Sequence, residues 1–300
     1  MSVEMITRLL GEGGMTAAEA ILTWKLFGPL ATHIGQKLPG LTDQGAANLK
    51  NVINFAVEKI GTAINEPGQV LPRVFRGAMS EAVFCDDRIA AEYLGGVLAS
   101  SRVPLIGNKP EEPVVEEDDR GVVINSLIAR LSSFQLRTHY ILYHALRDLY
   151  EGVGPVNRLH AGVKMPGATF MVALTHNRTS ACGEKLAAIV NHAFSGLYRE
   201  SLIGDYEIFG ADAENSFRFK PSEFGQELFM WGYGYGNLLT PHFFNPHLSF
   251  PISSDIYLPS EDIKLVVHDP EDSIQVKSYW YDPNWSEWCC RLTRPYFDLE

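Results

Sequence analysis

The stretch Leu71–Arg102 reads LPRVFRGAMSEAVFCDDRIAAEYLGGVLASSR, and it sets the character of the first half of the chain. Leu71, Val74, Phe75, Ala78 and Met79 recur at three- and four-residue steps, the period of one helix face. Pro72 falls in the first turn, where its missing N–H costs nothing. The spacing predicts a helix from about Val70 to Phe84. Cys85-Asp86-Asp87 then breaks the pattern. Asp86 or Asp87 is placed to cap a second helix over RIAAEYLGGVLASS.

Working outward, Leu49, Val52, Ile53, Ala56, Val57 and Ile60 repeat the helical step. Thr42 or Asp43 is placed to cap that helix, which is predicted to run to about Ile64. Upstream, Thr16 and Glu19 form a capping-box pattern opening TAAEAILTWKLFG, resumed to Leu38 after Gly28-Pro29. Downstream, the acids and prolines of Pro104–Asp119 predict a solvated loop or hinge. Two further helices are expected over RGVVINSLIARLSS and SFQLRTHYILYHALRDLY.

Gly152, Gly154, Pro155, Gly162, Pro166 and Gly167 mark a change of character, and the domain division is read near residue 155. Beyond it one helix is expected over Cys182–Leu202. Strands follow at Asp205–Gly210 and Ser216–Lys220 around the turn ADAEN, and a helix opens after Pro221-Ser222. Lys264–Val267 and Ile274–Trp280 read as strands. The expected class is α+β and mostly α. Residues 1–155 form a helical domain, and residues 156–300 form a winged-helix-like α+β domain with an aromatic C-terminal tail. No internal repeat or low-complexity tract is read.

Of the 300 residues, 46% are hydrophobic and 20% charged, which is globular composition. With 25 basic against 36 acidic residues the net charge is −11, which argues against a general nucleic-acid coat. Cys85, Cys182, Cys289 and Cys290 include no CxxC pair, so a zinc site is not expected. MSVEMITRLLGEGG lacks the pattern of a signal peptide, and a cytoplasmic location is the expectation. Leu228–Ser254 holds no Asp, Glu, Lys or Arg. Pro241, Pro246 and Pro251 argue against a membrane span there.

Candidate chemistry is sparse. Asp255, Asp262 and Lys264 give an acid followed by Asp-x-Lys, a set that could serve a metal-dependent nuclease. His139 and His144, His242 and His247, and His268 within HDPED show no convergent ligand set, and no cofactor or metal is expected. GxSxG and P-loop patterns do not occur, and Gly232-x-Gly234-x-Gly236 reads as a helix stop. Residues 183–236 could close a winged helix-turn-helix, but four bases face eight acids there, which opposes DNA binding. Tyr279, Trp280, Trp285 and Trp288 form an aromatic segment suited to partner contact or self-association.

Several phrases together resemble the Abi-alpha family of bacterial abortive-infection proteins. They are GPLATHIGQKL (Gly28–Leu38), NLKNVINFAVEKIG (Asn48–Gly61), the Leu71–Arg102 stretch, RLSSFQLRTHYILY (Arg130–Tyr143) and FRFKPSEFGQELFMWGYG (Phe217–Gly234). The resemblance spans roughly residues 20–236 and rests on order and pattern. It implies a role in bacterial defence against phage and brings no catalytic residue with it. The expectation is therefore a non-enzymatic defence component that contacts a protein partner or phage component, with self-association a further expectation. A metal-dependent nuclease effector and a winged-helix transcriptional regulator are the alternatives.

Overall fold

A computed structural model of the chain describes residues 42–65, 68–104, 118–150, 161–175, 184–208, 216–258, 263–267 and 277–278. The expected helix over residues 16–38 lies outside them, as do the loop 105–117 and the turn 211–215. The described residues are mostly helical with small sheets, an α+β arrangement. Two compact units divide the chain: Met1–Arg130 with Met230–Leu238, and Leu131–Phe229 with Leu239–Glu300.

In the first unit, α1 (Asp43–Ile60) starts where Thr42 Oγ1 accepts the Gly45 N–H at 3.1 Å. A 3-10 turn (Gly61–Asn65) leads to β1 (Gly68–Val70), then α2 (Pro72–Ala82) and α3 (Arg88–Ser100). Asp87 caps α3 by accepting the Ala90 N–H at 3.0 Å. β2 (Arg102–Pro104) pairs antiparallel with β1, setting Val70 opposite Arg102, and α4 (Arg120–Arg130) follows. The β1–β2 ribbon has no counterpart in the sequence reading, because three-residue strands carry no alternation long enough to see.

α3 is the centre of this unit, buried without interruption from Ile89 to Leu98. Its Gly95-Gly96 pair lets two main chains close in. A Cβ at Gly95 would lie 2.6 Å from the Phe55 Cβ and 2.9 Å from the Val52 carbonyl oxygen of α1. A Cβ at Gly96 would fall on the Gly232 carbonyl. Asparagines tie the remaining helices: Asn125 donates to the Val74 carbonyl at 2.8 Å, and Asn48 to the Val83 carbonyl at 3.1 Å.

The second unit contains α5 (Ser133–Tyr150), β3 (Ala161–Pro166), α6 (Gly167–Thr175) and α7 (Glu184–Arg199). β4 (Ile203–Ile208), β5 (Ser216–Pro221), α8 (Glu223–Gly232), a 3-10 turn (Thr240–Phe244), β6 (Lys264–Val267) and β7 (Lys277–Ser278) complete it, with the end of α8 counted in the first unit. The sheet order is β6-β3-β5-β4-β7, antiparallel except for the parallel β4–β7 pair. Phe170, Phe194, Tyr206 and Phe217 pack its core, with Phe170 and Phe217 centroids 4.5 Å apart. α5, which the residue pattern groups with the helices before it, packs on α6 and α7 and so belongs to this unit. β3 and α6 were hidden in the sequence. Gly162, Pro166 and Gly167 read as a break, and GATFMVALT is apolar on every side, leaving no amphipathic period.

Gly96→Ala should cost about 3 kcal/mol, because a main-chain carbonyl occupies the space, and Gly95→Ala about 2 kcal/mol. Both are read as a lowered urea midpoint by circular dichroism. A midpoint unchanged in both variants would remove close main-chain approach as the reason for these glycines.

Candidate functional site

α5 carries Arg137, Tyr140, His144 and Arg147 at steps of three and four, which places them along one face. The helix is buried continuously from Gln135 to Leu146, so Arg137, Tyr140 and His144 lie within the protein, and Arg147 is half-buried just beyond that run. Buried polar groups need partners. Theirs are the main chain of residues 239–258, a strap laid on α5. Arg147 donates to the carbonyls of Phe243, Asn245 (2.6 Å) and Leu248 (3.1 Å), and its guanidinium sits 4.7 Å above the Phe250 ring. The Tyr140 hydroxyl accepts the Ser253 N–H at 2.7 Å and donates to the Pro251 carbonyl at 3.4 Å. Arg137, 1% exposed, donates to the Asp255 carboxylate at 2.6 Å and also to the Asp255 carbonyl.

Aromatic packing supports the polar ladder. Phe229 of α8 meets Phe243 at 5.6 Å and Phe250 at 5.5 Å, and takes the His144 ring edge-on at 5.0 Å. Tyr143 donates to the Leu202 carbonyl at 2.6 Å and accepts the Ser222 N–H at 3.1 Å, and burial raises its phenol above the ordinary range. His139 donates from Nε2 to the Gly225 carbonyl at 3.0 Å. Burial is the larger influence on it and holds its pKa down at about 3, so the ring is neutral.

The strap has a five-residue period that the sequence reading passed over. It runs PHFFN, PHLSF, PISSD from Pro241 to Asp255. The three prolines are exposed, and so are the residues after them, His242, His247 and Ile252. Third positions turn inward, with Phe243 and Ser253 buried and Leu248 half-buried. The main-chain atoms taken by Arg147, Tyr140 and Arg137 belong mostly to third and fifth positions. Turn bonds repeat along it, including His242 N–H to Leu239 at 2.9 Å and Leu248 N–H to Asn245 at 3.1 Å. Leu239, 76% exposed, and Tyr257 extend the outward row at its two ends. The result is a fixed main chain with an uncharged ridge of proline, histidine and aliphatic side chains.

Asp255, the first of the nuclease candidates, is thus held by Arg137 at the end of the strap. Lys264 opens β6, its Cα opposite Lys164 of β3, and Asp262 lies outside the described residues. Tyr279, Trp280, Trp285 and Trp288 also lie outside them. Among the described residues no three His, Cys, Asp or Glu side chains converge as a metal set. None of the described helices is long and apolar enough to cross a membrane. The charge-free stretch Leu228–Ser254 instead supplies the end of α8 and most of the strap. Compared with known proteins, the chain matches no family model, no curated protein and no solved structure.

Asp255→Asn removes the carboxylate from a guanidinium that is almost fully buried, and should destabilise the protein by about 3 kcal/mol in denaturant titration. A loss under 0.5 kcal/mol, as for an exposed pair, would contradict the strap's anchoring. His139 has a separate pH signature. Its folded pKa lies below the ordinary value, so the unfolded chain binds the proton first. Stability should be level above about pH 6.5 and fall as pH drops from there toward 3. His139→Phe should flatten that acid limb in thermal melts taken across the range.

Proposed function

We propose that this protein is a non-enzymatic component of bacterial defence against phage, acting through protein–protein contact at the ridge of the strap. The observation that carries the reading is the division of labour in residues 239–258. Inward-facing main chain is fixed by Arg137, Tyr140 and Arg147, while Pro241, His242, Pro246, His247, Pro251 and Ile252 face outward. Ordering this segment on folding lowers the entropy lost when a partner binds. The polar side chains at the centre of the second unit hold main chain, which supports a contact role over a catalytic one. The defence context comes from the resemblance of the helical phrases to abortive-infection proteins.

The run from α7 through the β4–β5 hairpin to α8 is winged-helix-like in its order of elements. In this reading it serves packing rather than DNA. Both hairpin strands have outer neighbours, β3 beside β5 and β7 beside β4, and Glu207 pairs with Arg218 across the hairpin at 3.4 Å. Its acidic balance fits that use.

Cells carrying the gene should survive low-dose phage challenge and collapse at high dose, followed as culture density. His247→Asp and Ile252→Asp should each weaken the contact about 30-fold, the equivalent of ~2 kcal/mol, and lower protection. Their melting temperatures should match the parent, since both side chains are exposed. Full protection by both folded variants would overturn the ridge as the contact surface.

A further inference from the structure

Residues 183–236 hold four bases against eight acids, and the fold sorts these charges unevenly. α7 has no acid after Glu184. Lys185, Ala188, His192 and Arg199 are all exposed on it. At about 100° per residue they fall within a sector of roughly 60°, opposite the buried Val190, Phe194 and Leu197. Lys185, His192 and Arg199 stand seven residues apart, so the stripe repeats every ~10 Å and spans about 21 Å. Arg73, Arg88, Arg120, Arg137 and Arg218 each pair with an acid. Among the described residues no such partner meets Lys185, His192 or Arg199. Helix stability does not account for the set, since Lys185 in the first turn opposes the macrodipole that Arg199 in the last turn suits.

We propose that this stripe of α7 docks an acidic α-helix of a partner protein, whose carboxylates recur every seven residues opposite Lys185, His192 and Arg199. It is a second contact surface, on a different element from the strap ridge. Charge complementarity selects the occupant. Lys185 offers a point charge and Arg199 a planar fork, and the His192 imidazole offers a ring donor between them. Ala188, between the first two, has no atom beyond Cβ and lets a partner helix come close. A seven-residue repeat on that helix keeps its carboxylates on one seam along α7. Broader polyanions fit less well. Glu200 follows α7 directly, and β4, which packs on α7, carries Asp205 and Glu207, all three half-buried. A nucleic-acid duplex or an anionic bilayer is wider than one helix and meets more of this acidic surround, in a chain of net charge −11.

The test titrates the full-length, isotope-labelled protein with a stapled helical peptide of alanine and glutamine that carries three glutamates seven residues apart, at about 50 mM salt. Amide shifts are expected on α7. Affinity should be roughly tenfold above that for a peptide with the same glutamates five residues apart. Raising the salt to about 0.5 M should remove the difference. Lys185→Glu, His192→Glu and Arg199→Glu together should lower affinity for the glutamate peptide at least ~tenfold. Circular dichroism should not change, since all three side chains are exposed. A peptide with lysines at the glutamate positions should bind that variant and not the parent. Equal affinity for the two spacings, shifts confined to other elements, or no binding overturns the proposal. So does tighter binding of a short DNA duplex or of phosphatidylglycerol vesicles, which would assign the stripe to phosphates.

Discussion

The second unit depends on three side chains of one helix reaching the main chain of another segment. Residues 239–258 contain three prolines and no strand or α-helix, so few of their peptide groups can pair with one another. A long irregular segment laid against a core must still satisfy its buried carbonyls. Arg147 meets this need at three carbonyls with one planar fork, a geometry that the single ammonium of lysine does not offer. Tyr140 holds the next unit of the strap, and Arg137 closes its end with an ion pair and a carbonyl bond. The cost of burying the Arg137 charge is offset by two acceptors of Asp255, its carboxylate and its carbonyl.

The first unit solves its central problem by the opposite means. α3 is buried as completely as α5, yet its middle is Leu94-Gly95-Gly96-Val97, with no charge. Where α5 extends long donors to a segment held at a distance, α3 removes side chains and lets α1 and the Gly232 main chain come to it. Polar satisfaction there falls to short amides, Asn48 and Asn125, and to Ser100, which accepts the Gly236 N–H at 3.0 Å. One unit is therefore sensitive to added volume and the other to lost hydrogen bonds.

What the sequence disclosed follows from the range of the interactions. The caps were legible to within one residue, as Thr42 or Asp43 and as Asp86 or Asp87, because a cap acts within three residues, and the structure selects Thr42 and Asp87; Pro72 marked its helix start for the same reason. The α4 and α5 boundaries and the β4–β5 hairpin were also local. β3 and α6 were not, since a central strand ending in Pro166 and a short helix apolar on every side show neither period. The strap was missed for a different reason. Five residues match neither the 3.6 of a helix nor the 2 of a strand, so a search for those periods passes over Pro241, Pro246 and Pro251. Its anchors also sit more than 90 positions earlier, at Arg137, Tyr140 and Arg147. Asp255 looked like a ligand because nothing near it in sequence identified its cation.

The histidines show how far residue type alone falls short. His139 and His144 are five apart, and so are His242 and His247. On α5 that spacing leaves both rings buried, one bonded to the Gly225 carbonyl and one edge-on to Phe229. On the strap it returns each ring to the same outward position of the five-residue unit. The buried pair contributes to the floor that the strap rests on, and the exposed pair belongs to what the strap presents. Both follow from one fact of the fold: the strap's main chain is spent on α5, so its first and second positions are the ones left to face outward.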